Sequence, residues 1–402
     1  MIKNYLAPIS LIAVVPLILF SVLKKSTTIS NKFFPNIISF VFVISLAAIG
    51  YYSIALSKEK FIGPPNIDGT IPKYAANGFS FWLVTTILIS FIAFLSPRFV
   101  DLFSENFIPF ILTCQLLGFI FVTYLYRKDK DEYFDKEIDD QKGHSALFRF
   151  YRGLKFHPTL FGVDIKQWTN CRFGMISWQI IILIFAFYLY HHTGFNWAMF
   201  VTVILQTIYI GKFFYWETGY FNTLDITLDR AGYYICWGCI VFLPALYTLT
   251  AYYLANHPIN ISPIFAITAL SLGVLFIYLN YQVDRQKELF KEDFETKIWG
   301  KKAEFLPVKY MKDGVEKDSK LLLSGFWGIS RHMNYVFEIL LTLSWTIVAI
   351  SLGIKPFLYL IFIVILLVHR IFRDEEKCKS KYGKYWDEYC EKVPARLIPK
   401  IV

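Results

Sequence analysis

MISWQIIILIFAFYLY, residues 175–190, decides the class of fold, because sixteen consecutive positions carry no charge. A helix built from this run has no polar face to turn toward water, so it must be covered by protein or by lipid on every side. Six residues later a second run, WAMFVTVILQTIYIGKFFY (197–215), holds only one charge, Lys212. About 20 apolar residues cross the hydrocarbon core of a bilayer. Working outward at that length gives ten candidate spans: 5–23, 37–56, 79–95, 107–126, 175–190, 197–215, 235–255, 264–281, 337–353 and 356–372. Only Ile354 and Lys355 separate the last two, which predicts a tight antiparallel hairpin.

The composition agrees. Of 402 residues, 55% are hydrophobic, 19% aromatic and only 18% charged, with a mean hydropathy of +0.45. These values exclude a disordered chain, a collagen, a disulfide-rich secreted module and a soluble nucleic-acid binder. The expectation is an all-α polytopic membrane protein of about ten helices. A single domain over 1–402 is expected: four spans to 126, a charged loop over 127–173, then six spans and a basic tail from 174 on.

The net charge of +10 falls unevenly. Loops 127–173 and 282–336 and the tail from Arg370 hold 30 of the 41 Lys and Arg residues. The loops on the other side hold five: Lys24, Lys25, Lys32, Arg98 and Lys355. Positive charge marks the cytoplasmic side, which places the termini and the large loops there. The segment 127–143 is a mixed-charge run expected to be a solvated helix or loop. Over 282–320 a helix is expected to continue and then give way to an ordered cap containing Phe294, Trp299, Phe305 and Leu306. The six cysteines include a CxxC pair, Cys236 and Cys239, without a second pair or histidines to complete a zinc set, so buried thiols and no metal are expected.

Charges at bilayer depth are costly and mark candidate function. Glu217, Asp225 and Asp229 lie close together in FFYWETGYFNTLDITLDR (213–230) and predict a polar wall. In LLLSGFWGISRHMNY (321–335), Arg331, His332, Asn334 and Tyr335 crowd the start of a span. In HRIFRDEEKCKSKYGKYWDEYC (369–390), Arg370, Asp374, Cys378 and Lys381 share one helical face, with His369 and Arg373 on the adjacent one. Two basic clusters at neighbouring helix ends predict a positive, aromatic-lined cleft suited to a phosphorylated ring ligand such as a nucleotide. Neither GxGxxG nor GxxxxGK[ST] occurs, so such a site must be built from helix ends.

These two segments resemble the membrane sterol reductase family, in LLxSGxWGxxRHxNYxGD and HRxxRDxxxCxxKYGxxWxxYxxxVPxRxIP. Weaker matches run through DGTIPKYAANGFSFW, NCRFGMISW, QTIYIGKFFYWETGYFNTLDI and YYICWGCIVFLPALYTL, and the pattern around FFxxET looks most like the Δ7 branch. The chain departs from the family at Lys212, Trp216, Cys239 and His157, and Phe337-Glu338 replaces GD. These departures leave the reduced bond open between Δ7, Δ14 and Δ24(28). The resemblance implies reduction of a sterol C=C bond by NADPH, in the endoplasmic reticulum of a eukaryote or the inner membrane of a bacterium. The sterol would come from the bilayer and the cofactor pocket would open to the cytoplasm. Carried over, the cofactor positions are Lys287, Lys291, Leu322, Trp327, Asn334, Tyr335, Arg370, Asp374, Cys378, Lys381, Tyr382 and Tyr389. Tyr209 is the expected proton donor, Asp374 its orienting or reprotonating partner, and Glu217 a second candidate. The competing readings are an isoprenylcysteine-type membrane methyltransferase and a sterol-binding scaffold. Membrane lipids are expected neighbours, and no nucleic acid is.

Overall fold

A computed structural model describes residues 5–25, 27–65, 69–135, 143–312 and 315–399. Among them, nine helices are long and apolar enough to cross a membrane. They are α2 (Ile37–Ala55), α3 (Gly78–Leu95), α4 (Phe107–Lys130), α5 (Gln167–Thr193), α6 (Trp197–Tyr215), α7 (Tyr233–Asn256), α8 (Pro263–Glu292), α9 (Met333–Leu352) and α10 (Lys355–Tyr382). The expected first span is a shorter apolar helix, α1 (Ser10–Lys24). Helix starts follow side-chain capping: Asn36 and Ser39 form a reciprocal box at α2, Asn196 caps α6, and Ser262 caps α8 just before Pro263. The helix of α4 runs on to Asp135, so the first part of the mixed-charge segment is helical. The rest of that segment up to 142 lies outside the described residues.

The chain divides into two compact units, 1–260 with 351–356, and 261–350 with 357–402. In the first, α5 is the central element: 78% of its apolar window is buried, against 22% for α2 and α3. The uncharged run at 175–190 is therefore covered mainly by protein, while α2 and α3 turn apolar sides outward. The first turns of α5 (Gln167–Gly174) and of α7 (Tyr233–Trp237) are π-helical. Pro244 lies inside α7, and the helix gives way to turns just beyond it.

In the second unit α8 packs along α9, and α9 against α10. The cap expected over 282–320 is present in an unanticipated form. Strand β1 (Phe305–Lys312) pairs antiparallel with β2 (Val315–Leu322), Leu306 opposite Leu321 and Val308 opposite Ser319. Leu306 and Val308 point into a small core with Trp386, Tyr389 and Val393. Trp299 is 61% exposed, edge-on to Phe326.

Candidate functional site

The second unit brings together the positions that the two C-terminal segments singled out. Helix α10 is apolar to Leu367 and then continues as a polar helix, so Arg370, Asp374, Cys378 and Lys381 fall on consecutive turns of one side. Gly383 ends it with φ +54°, the left-handed conformation that lets the chain turn into the helix Lys384–Lys392. Gly325 (φ +63°) turns the end of β2 toward Trp327, and a Cβ there would sit 2.6 Å from Ile298 Cγ2.

Around that turn the contacts are specific. Trp327 Nε1 donates to the Val283 carbonyl at 2.9 Å, and the Lys287 ammonium lies 4.1 Å from the centre of the Trp327 ring. Tyr389 donates its hydroxyl to the Trp327 carbonyl at 3.3 Å, and Leu322 is buried in the same core as Trp327. Asn334 donates to Asp284 at 3.2 Å and its carbonyl accepts from Asn280 at 2.9 Å. Tyr335 donates to Asp374 at 3.2 Å. Lys381 lies over the rings of Tyr310 (4.1 Å) and Tyr382 (4.8 Å). Cys378 packs against the core under the β1–β2 hairpin.

The source of positive charge differs from the sequence expectation. Arg331 is buried and neutralised: it donates to Glu375 at 2.8 and 3.0 Å and to the Val393 carbonyl at 2.7 Å. Glu375 also receives Arg396 at 3.0 Å, so one carboxylate clasps α10 to the C-terminal tail. His332 stacks on Tyr335 with ring centres 5.2 Å apart. Burial, reinforced by Lys287, Arg331 and Arg396, pushes its pKa down to about 3, so the imidazole is neutral. The exposed charge is instead a group of four lysines, Lys287 and Lys291 on α8 and Lys377 and Lys381 on α10, close enough to repel one another. Sequence reasoning missed Lys377. Its spacing from Asp374 and Lys381, three and four residues, was the signal that could have found it.

The first unit holds Tyr209 and Glu217. Tyr209, on α6, is half-buried, its ring centre 5.8 Å from that of Trp178 and 5.5 Å from the Lys212 ammonium. Trp178 is fully buried and donates to Gln206 at 2.7 Å; Gln206 Nε2 is buried without a hydrogen-bond partner. The departure at Lys212 thus places a cation beside the expected proton donor. Within the expected wall, Glu217 and Asp229 take different cations. Glu217 pairs with Arg172, both buried, and Arg172 also donates to Asn77 at 3.1 Å. Asp229 pairs with Arg152 at 2.6 Å, while its carbonyl and that of Ile226 accept from buried Lys166. A carboxylate taken out of water needs a cation. Here the cations come from the loop 127–173, too far away in sequence for spacing to reveal. His157, another departure, has Nδ1 3.1 Å from Tyr74 Oη and 3.2 Å from Asp164 Oδ2. The six cysteines are free thiols; Cys114, Cys171 and Cys236 are buried and Cys239, Cys378 and Cys390 partly so.

Nine apolar helices of membrane-spanning length among the described residues define a multi-pass membrane protein. The chain belongs to the Ergosterol biosynthesis ERG4/ERG24 family, whose pattern it matches over residues 12–402. It is 38% identical to a 7-dehydrocholesterol reductase of Arabidopsis thaliana over 376 residues, 91% of this chain and 86% of that one. A 7-dehydrocholesterol reductase of Danio rerio is 36% identical over 83% of this chain and 70% of its own. A Delta(14)-sterol reductase of Dictyostelium discoideum is 29% identical over 91% and 80%.

Proposed function

We propose that the protein reduces the Δ7 double bond of a sterol with NADPH. The observation that carries this reading is the lysine cluster of Lys287, Lys291, Lys377 and Lys381 set against Trp327, Tyr310 and Tyr382, in a chain whose family relatives carry sterol reductase names. The residues fit the cofactor: ammonium groups for its phosphates, and aromatic faces for its rings. Lys287, Lys291, Lys377, Lys381 and Arg370 hold the phosphates, and Trp327, Tyr335 and Tyr382 line the ring positions. Leu322, Cys378 and Tyr389 support that wall from the core, and Asn334 and Asp374 fix its polar edge.

NADPH, when bound, supplies the hydride. The rest is the protein's work. An unpolarised C=C bond accepts hydride at one carbon only if a proton reaches the other, and positive charge develops in between. Tyr209 gives that proton, and Lys212 puts positive charge beside the ring where negative charge appears as the proton leaves. Asp374 accepts the Tyr335 hydroxyl at 3.2 Å and holds that ring at the polar edge of the cofactor wall. The buried ion pair with Arg172 favours a structural role for Glu217. The basic loops and the termini face the cytoplasm, and the sterol arrives from the bilayer.

Expression in a yeast strain that accumulates Δ5,7-sterols, followed by gas chromatography, tests the bond. Loss of the 7-ene supports the reading. Unchanged Δ5,7-sterols with loss of Δ14-sterols in a matching strain would move the assignment to the 14-ene.

A further inference from the structure

The cytoplasmic end of α4 carries a groove that the reductase site does not use. Phe119, Ile120, Thr123, Tyr124, Arg127 and Lys128 line an open hollow of about 590 Å³ on the surface. Their spacing places them on one stripe of the helix, apolar for its first turns and doubly basic at the end. Phe119, Ile120 and Tyr124 are 45%, 53% and 48% exposed. The Thr123 hydroxyl donates to the Phe119 carbonyl of its own helix at 2.8 Å, so it adds no polar group to the wall. Phe150 and Tyr233 back Phe119, at 5.8 and 6.5 Å between ring centres. Asp129 is buried and paired with Lys155 at 3.3 Å, while Asp131 and Glu132 stand one turn further along the helix, past the residues that line the groove. Lys128 bonds to the Thr159 carbonyl at 3.3 Å, in the small hairpin whose tip, Phe161, is 88% exposed.

We propose that this groove binds one anionic phospholipid from the leaflet on the side of the basic loops. An acyl chain lies along Phe119, Ile120 and Tyr124, and the phosphate sits against Arg127 and Lys128. The pairing of an apolar trough with two cations at its headgroup end is what selects the occupant: a neutral sterol fills the trough and offers nothing to the charges, and a free nucleotide satisfies the charges and leaves the trough bare. The proposal is independent of the reductase reading.

Native mass spectrometry of the detergent-purified full chain, with phosphatidylglycerol or phosphatidylcholine of matched acyl chains, tests it. One phosphatidylglycerol should be retained per chain, in at least tenfold preference to phosphatidylcholine. Arg127→Gln with Lys128→Gln should lower that preference tenfold or more. Ile120→Trp, which fills the trough and keeps the charges, should lower retention of either lipid. Lys24→Gln with Lys25→Gln, a charge loss elsewhere, should change neither. Equal retention of the two lipids by the unaltered chain, an undiminished preference in the Arg127/Lys128 double variant, or one-for-one displacement of phosphatidylglycerol by a neutral sterol would overturn the proposal.

Discussion

Lys377 and its three lysine neighbours repel one another, with Asp374 acting against that repulsion at Lys377 and Glu288 at Lys291. A cluster of this kind is stabilised when a polyanion binds. Lys377→Gln should therefore weaken NADPH binding by roughly tenfold, the worth of one charge-assisted contact, as read by calorimetry. Unaltered affinity would remove Lys377 from the site. Tyr209→Phe deletes one hydroxyl, so NADPH affinity should hold while turnover falls by about two to four orders of magnitude. Glu217→Gln should act differently. It leaves the Arg172 charge buried without its partner, at about 3–5 kcal/mol, so the melting temperature should drop first. His332 gives a pH signature. Its folded pKa of about 3 lies below the unfolded value of about 6.5, so between those values only the unfolded chain takes up the proton. Its contribution to stability is intact above about pH 6.5 and declines as the pH falls toward 3. The melting-temperature advantage of the unaltered chain over His332→Gln should accordingly shrink from pH 7.5 to pH 5.

Among the elements, α10 and the turn at Gly325 hold the site's geometry. Gly325→Ala forces a left-handed residue and a Cβ 2.6 Å from Ile298 Cγ2, whereas Gly383→Ala meets the same backbone strain with nothing within 4 Å. Thermal melting should rank Gly325→Ala clearly below Gly383→Ala, with the latter costing about 1–2 kcal/mol. The helices were legible because long uncharged runs have one reading at membrane length, and the extension of α10 was legible because Arg370, Asp374, Cys378 and Lys381 keep helical spacing. The β1–β2 hairpin was not read, although Asp313-Gly314 between FLPVKYMK and VEKDSKLL is a hairpin dipeptide. The ion partners were illegible for a physical reason. Arg172 with Glu217, and Arg331 with Glu375, join residues 45 and 44 positions apart, and local spacing carries no record of such pairs.

For the whole molecule, the uneven lysine and arginine distribution predicts sidedness. In sealed vesicles a membrane-impermeant thiol reagent should reach Lys130→Cys from the cytoplasmic face and Asn260→Cys from the other, and labelling of both from one face would break the topology. The central claim is the chemistry, and the purified chain in detergent with a Δ5,7-sterol tests it most directly. NADPH carrying deuterium at the transferable position should give a product saturated at the 7-ene with one deuterium, and solvent deuterium should label the other carbon of that bond. A sterol recovered unreduced with NADPH present, or reduced without deuterium from the cofactor, would contradict the account.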